Sequence, residues 1–383
     1  MKRLYCDNAA QKPLTSNVKQ AILNLINNEN ICNPSAIYSC GRYTHNLIEQ
    51  ARLQVARAID ADCDEIYFTS GSTEAINWII RTTSCNIITT PIEHKAIYNN
   101  IISDNEKCIF TLPIDNNGRI ILSNDYLASV CGDNRMVVIG YVNNEIGTIQ
   151  PIEEITKICH RYGSLIFVDG TQAIGNVPID VHKLNIDYMC GSFHKLGSLS
   201  GCGFLYCKKG SPLEPLLKGG QQENGMRAGT ENLFGIVTGG MAISNAVENL
   251  ETKIAITKKK RNKIISELLK IPNSCLNGGV SNRVANNINI AFDGVEAENL
   301  VLMLDNRGIQ CSSGSACNSK SLEPSHVLKA INNPNNIIDI LTSSIRITID
   351  ENITLQEISY LTSTINSCVE YLRKKNKNFQ KNT

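Results

Sequence analysis

Short apolar runs alternate with amphipathic stretches along most of this chain. Glu65-Ile66-Tyr67-Phe68-Thr69 reads as a strand, closed by the turn Ser70-Gly71-Ser72 and followed by a helix from about Thr73. Residues 86–90, 136–142, 165–169, 188–191 and 204–207 read as further strands, and residues 151–162 as one of the helices between them. This alternation predicts an α/β fold with a mostly parallel sheet covered on both faces. After about residue 250 the texture changes. Residues 253–269 form a charged amphipathic helix whose Lys258-Lys259-Lys260-Arg261 run reads as a solvated face, and residues 286–292 and 344–349 read as strands of a smaller α+β unit. The polar tail, residues 374–383, is expected to fray. No internal repeat and no long linker interrupts the pattern.

Composition narrows the classes. A chain of 383 residues with 42% hydrophobic content can bury a sizeable core and fits two or more domains. With 37 basic against 36 acidic residues the net charge is +1, which calls for neither nucleic acid nor an anionic membrane as partner. No apolar run approaches the roughly 18–20 residues of a membrane span. Met1-Lys2-Arg3-Leu4 lacks the apolar stretch of a signal peptide, so the expected location is the cytoplasm. The 15 cysteines are scattered from Cys6 to Cys368 without a C-x-x-C pair. They read as free, mostly buried thiols, neither a disulfide scaffold nor a zinc site.

Four stretches carry candidate chemistry. Ser192-Phe193-His194-Lys195 follows an apolar strand and precedes a loop rich in Gly and Ser; taken alone, its lysine reads more readily as a surface charge. Leu165-Ile166-Phe167-Val168 ends in Asp169, a carboxylate at the strand end where open α/β sheets bind ligands. A helix N-cap is an equal reading of that residue taken alone. Together they suggest a pyridoxal-phosphate site, which needs a lysine for its Schiff base and an acid opposite the pyridine nitrogen. Ser70-Gly71-Ser72-Thr73, at a strand-to-helix turn, offers N–H groups and hydroxyls for the phosphate, with Ser192 and His194 closing it from the other side. Finally, Cys317 lies in the small polar stretch from Cys311 to Ser319, which has no apolar period and reads as a loop. A thiol there can ionise and react, or be incidental.

The chain resembles the cysteine desulfurases, in particular the group serving iron–sulfur cluster assembly and nitrogenase maturation. The matching stretches are Phe68-Thr69-Ser70-Gly71-Ser72-Thr73-Glu74, Glu93-His94-Lys95-Ala96, Asn143-Asn144-Glu145-Ile146-Gly147-Thr148, Asp169 with Gln172, His194-Lys195, Arg227-Ala228-Gly229-Thr230, and Ser312 to Cys317 with Ser321-Leu322-Glu323-Pro324-Ser325-His326-Val327-Leu328. They run in order over nearly the whole chain. The resemblance implies the pyridoxal-phosphate-dependent aminotransferase type I fold. Its large domain would span 15–252, and its small domain 1–14 with 253–383. It implies pyridoxal 5'-phosphate held by Lys195, Asp169, Gln172, His94, Ser72, Thr73, Ser192, His194 and Asn144, with Thr230 reaching the phosphate of the partner subunit in a homodimer. Asn144 and Arg346 would bind the carboxylate of L-cysteine, for which the arginine fork is suited. Cys317 would take the sulfur as a persulfide, with Lys195 and His94 moving protons. The acceptor would be a protein such as an iron–sulfur scaffold or a tRNA-thiolation enzyme.

The chain departs from the family pattern in several places. Gly197-Ser198-Leu199-Ser200-Gly201 follows the lysine, Gly170 follows the acid, Ala9-Ala10-Gln11 replaces a paired-threonine pattern, and Cys311 is an additional thiol beside the loop that could shield or compete with Cys317. A selenocysteine lyase or another pyridoxal-phosphate enzyme on the same fold, and an inactive partner-binding scaffold, are the rival readings. The retention of Lys195, Asp169, His94 and Cys317 argues against the scaffold.

Overall fold

The computed structural model describes residues 3–102, 107–313, 324–332 and 338–381. The chain starts with β1 (Leu4–Tyr5) and then builds a seven-stranded sheet: β2 (Ile66–Thr69), β3 (Asn86–Thr89), β4 (Cys108–Thr111), β5 (Arg135–Gly140), β6 (Leu165–Asp169), β7 (Tyr188–Ser192) and β8 (Gly203–Cys207). The spatial order is β2-β8-β7-β6-β5-β3-β4. Only β8 runs against its neighbours β2 and β7; the remaining pairs are parallel. The strands read as unbroken apolar runs because both faces are covered. Val137 and Ile139 of β5 enter one hydrophobic cluster, while Met136 and Val138 enter the cluster on the other face. The helix Ser39–Ile59 packs against Leu233–Val247 beside the first of these clusters. The single tryptophan, Trp78, is fully buried in the second.

A second core lies apart from the first. It is built on β9 (Ser274–Leu276), β10 (Asn287–Phe292), β12 (Ser312–Ser313) and β13 (Ser344–Thr348), in the order β12-β13-β10-β9. β11 (Ile309–Gln310) pairs in parallel with β1, so Leu4 and Cys6 join a cluster otherwise drawn from residues 264–372. The N-terminal residues thus pack with the C-terminal third.

Four readings of the sequence need correction. Cys32 and Cys40 are joined in a disulfide, with Cα atoms 5.6 Å apart. The turn at Asn33, where Ala36 N bonds Asn33 O and Ser35 N bonds Asn33 Oδ1, folds Cys32 back onto the first turn of the helix that begins at Ser39. The tail continues the helix Leu355–Lys381 and does not fray from residue 374. Ser312 and Ser313, read as loop, pair with Arg346 and Ile345 as β12. Arg261, read together with Lys258–Lys260 as a solvated face, is fully buried, its NH1 donating to Arg283 O and Val284 O.

Candidate active site

The carboxyl ends of β2, β3, β5, β6 and β7 open onto one cavity of about 490 Å³, within the roughly 300–1,000 Å³ common for cofactor sites. It sits on the sheet edge where the crossover connections leave room for a ligand.

One wall comes from the sheet. The turn after β2 passes through Gly71, whose φ of +151° few L-residues adopt. Gly203 lies against it: a Cβ there would stand 2.4 Å from Gly191 O and 2.8 Å from Gly71 Cα. Ser72 and Thr73 open the helix Ser72–Thr82 at this point. Ser72 Oγ is 2.5 Å from Thr171 Oγ1. Glu74 takes the N–H of Ser70 at 2.9 Å and a two-point ion pair from Arg227, fixing the turn.

Asp169 closes β6. Its Oδ1 accepts from Thr171 N at 2.9 Å, Thr171 Oγ1 at 2.5 Å and Cys190 Sγ at 3.4 Å. Its Oδ2 accepts from none of the described residues, although Asp169 lines the cavity. A carboxylate with one oxygen saturated and the other left over is what a ring N–H⁺ in the cavity requires. Gln172 Nε2 donates to Ala9 O at 3.0 Å.

Ser192 ends β7, and its Oγ meets His194 Nδ1 at 2.8 Å. Burial and the neighbouring Lys195 charge push His194 down to about 4, so its imidazole is neutral near pH 7. Lys195 Nζ donates to Ala9 O at 2.8 Å and to Ala10 O at 2.6 Å. His94 caps the helix Lys95–Ile101, its Nδ1 accepting from Ala96 N at 3.1 Å, which places the proton of a neutral ring on Nε2.

The other wall brings distant segments together. Asn143 shapes the loop after β5, accepting from Glu145 N and Ile146 N and donating to Ile92 O. Its neighbour Asn144 offers its carbonyl to Arg346 NH1 at 3.0 Å. Arg346, in the middle of β13 and 4% exposed, also bonds Asp7 Oδ1 through NH2 at 2.8 Å. Its Nε is buried without a partner. Such an orphan costs roughly 1–3 kcal/mol or more, so it points to a missing acceptor.

Ten of the expected residues line this one cavity: Ser72, Thr73, His94, Asn144, Asp169, Gln172, Ser192, His194, Lys195 and Arg346. Thr230 does not; it is exposed, beyond the Arg227 ion pair. Cys317 lies outside the described residues, but the chain on either side of it is tied to the site. Ser312 Oγ donates to Asp7 Oδ2 at 2.6 Å, and Ser325 Oγ to Glu145 Oε2 at 2.5 Å. His326 Nε2 is 2.8 Å from Glu93 O, and its ring packs on Tyr98 with centroids 4.4 Å apart. Cys311 is pushed above its ordinary range by burial and packs against the second core, so it is no rival thiolate.

Sequence reasoning assigned no role to Asp7, Glu93 or Glu145. Burial raises both glutamates to about 7. Glu93 lines the cavity, with Thr90 Oγ1 on its Oε1 at 2.6 Å and Gly140 N on its Oε2 at 2.7 Å. Its place directly before His94 was the available signal; Asp7 had none beyond following a short apolar run.

The aminotransferase class-V family matches residues 4–361. The chain is 41% identical over 382 residues to the cysteine desulfurase IscS of Methanosarcina thermophila, covering 97% of this chain and 93% of that one. Among solved structures, a NifS-like protein superposes with a TM-score of 0.87 at 30% identity, covering 96% of this chain and 100% of its own. SspA in complex with cysteine superposes with a TM-score of 0.75 at 29% identity, covering 91% and 99%.

Proposed function

The chain belongs to the aminotransferase class-V family, among the cysteine desulfurases, and on that premise we propose that it converts L-cysteine to L-alanine and carries the sulfur away on Cys317. The observation that carries this reading is the convergence, around one cavity, of a lysine ammonium, a half-saturated aspartate and an arginine with an orphaned N–H. These three groups match the aldehyde, ring nitrogen and substrate carboxylate of a pyridoxal-phosphate enzyme.

Pyridoxal phosphate, when bound, supplies a sink for the electrons left on the substrate's Cα. Lys195 would hold it through Nζ, Asp169 would receive the ring N–H, and Gln172 and His94 would flank the ring. Ser72, Thr73, Ser192 and neutral His194 would hold the phosphate, and Thr230 would reach the site of a second copy in a homodimer. Arg346 and Asn144 bind the substrate carboxylate. Lys195 Nζ, oriented by the Ala9 and Ala10 carbonyls, would move the Cα proton. The Cys317 thiolate forms an S–S bond to the substrate sulfur as the Cβ–S bond breaks. The carbon fragment keeps that electron pair, gains a proton and leaves as alanine, and Cys317 keeps a persulfide for an iron–sulfur scaffold or a tRNA-thiolation enzyme.

We assign the two hydrophobic cores to a large domain, 15–252, and a small domain, 1–14 with 253–383. No helix among the described residues is long and apolar enough to cross a membrane; the location we propose is the cytoplasm.

The test is a paired assay of alanine and sulfide from L-cysteine with a reducing thiol. Wild type is expected to release both in equal amounts, and Cys317→Ser almost none. A yellow wild type that releases neither product overturns the desulfurase reading.

A further inference from the structure

We propose that Asp7 is a positioning residue for the reaction, presetting Arg346 for the carboxylate of the substrate amino acid. The inference rests on the reading above that Arg346 receives that carboxylate.

Three observations carry it. First, a guanidinium is a rigid planar fork, so fixing two of its nitrogens fixes the direction of the third. Asp7 Oδ1 holds NH2 at 2.8 Å and Asn144 O holds NH1 at 3.0 Å. The third nitrogen, Nε, is the orphan, on a side chain that is 4% exposed and lines the cavity. Asp7 therefore decides where the unfilled N–H points.

Second, Asp7 is itself held firmly. Its Oδ2 takes the hydroxyl of Ser312 at 2.6 Å. Its backbone bridges Thr348, on the same strand as Arg346, and Ala9 N bonds Thr348 Oγ1 at 2.9 Å. A carboxylate with both oxygens committed and its backbone anchored to the arginine's strand makes a fixed template.

Third, the strap that begins at Asp7 reaches the other reactive end of the site. Ala9 O and Ala10 O hold Lys195 Nζ. One short stretch of chain thus touches the group assigned to the substrate's carboxylate and the lysine its amine must displace. The Asp7 charge also offsets the Arg346 charge, so the site takes a carboxylate by directed hydrogen bonds more than by net attraction.

The test separates carboxylate recognition from general damage. In the holoenzyme carrying Cys317→Ser, which blocks sulfur transfer, L-cysteine and cysteamine are titrated against the visible absorption of the bound cofactor. Cysteamine has the same thiol and amine but no carboxylate. Asp7→Ala is expected to weaken L-cysteine by at least about tenfold and cysteamine by less than about twofold. Asp7→Asn, which keeps an oxygen for NH2 and the same volume, is expected to recover part of the loss. In an Arg346→Ala background, Asp7→Ala should add nothing. Equal weakening of both ligands, or no change in L-cysteine, overturns the role of Asp7. If the unmutated site binds L-cysteine and cysteamine alike, the carboxylate reading of Arg346 fails, and the proposal with it.

Discussion

The two walls of the cavity are built in different ways. The cofactor wall comes from residues at successive strand ends: Ser72 after β2, Asp169 at the end of β6, and Ser192 and Lys195 at and just after β7. Each is placed by its own strand and turn, and the sheet does the rest. The substrate wall is assembled across the chain. Arg346 meets Asp7 from 339 positions away and Asn144 from 202, and every group depends on the others for its partner. The first wall is a set of local solutions brought to one edge; the second is a single network that stands or falls together.

The sharpest test of this difference begins with Lys195. Its side chain donates to the backbone carbonyls of Ala9 and Ala10, whereas the role proposed for it lies in chemistry. Lys195→Ala is expected to lower alanine formation from L-cysteine by about 10³-fold or more, with thermal unfolding close to wild type. A variant that loses the fold along with the rate would mean that the cofactor wall is as interdependent as its counterpart.

Arg346→Ala should behave in the opposite way. It strips a partly buried carboxylate of its counter-ion and Asn144 O of a donor. Breaking such a pair destabilises by about 3–5 kcal/mol, so a clear fall in melting temperature is expected. KM for L-cysteine should rise by about 100-fold, with kcat changed less than by Lys195→Ala. Steady-state kinetics and a thermal melt on the same preparations check both. A normal melting temperature would break the picture of a single network.

The same contrast explains what the sequence made legible. Asp169, Ser192 and Lys195 could be found because each sits at the end of an apolar run whose period announces a strand. The two cores were readable for the same reason, as was the change of texture near residue 250. Asp7 was not, because its meaning lies in a partner on β13, and no local period encodes a contact between the two ends of the chain. Arg346 was named only through resemblance to a family. Cys32 and Cys40 look like two of many scattered thiols until the turn at Asn33 folds them together. The helical course of the tail was missed because its polar residues extend a helix whose apolar face lies upstream, at Ile358, Leu361 and Ile365.

Glu93 joins the two walls and gives the smallest effect of the series. It lines the cavity beside His94, and Asp169 and His94 are the charged neighbours that bear on it, after burial and its bonds from Thr90 and Gly140. Burial raises its carboxyl from the ordinary 4.5 to about 7, so the folded protein binds this proton more tightly than the unfolded chain does. The stability it contributes is complete below about pH 4.5 and is lost as pH rises through about 7. Glu93→Gln, which keeps the acceptor for Gly140 and carries no charge, is expected to remove that loss, worth at most about 3 kcal/mol. Denaturant unfolding at pH 5 and pH 8 measures it: wild type should lose more stability between the two than the variant. Glu145, raised to about 7 by burial and held by Ser325 on the substrate side, has the same sign, so Glu145→Gln should flatten the profile further. If the two substitutions fail to add, the walls are coupled through their charges as well as through the strap; if neither changes the slope, both carboxyls are already ionised at pH 5 and burial has been overcome by their hydrogen bonds.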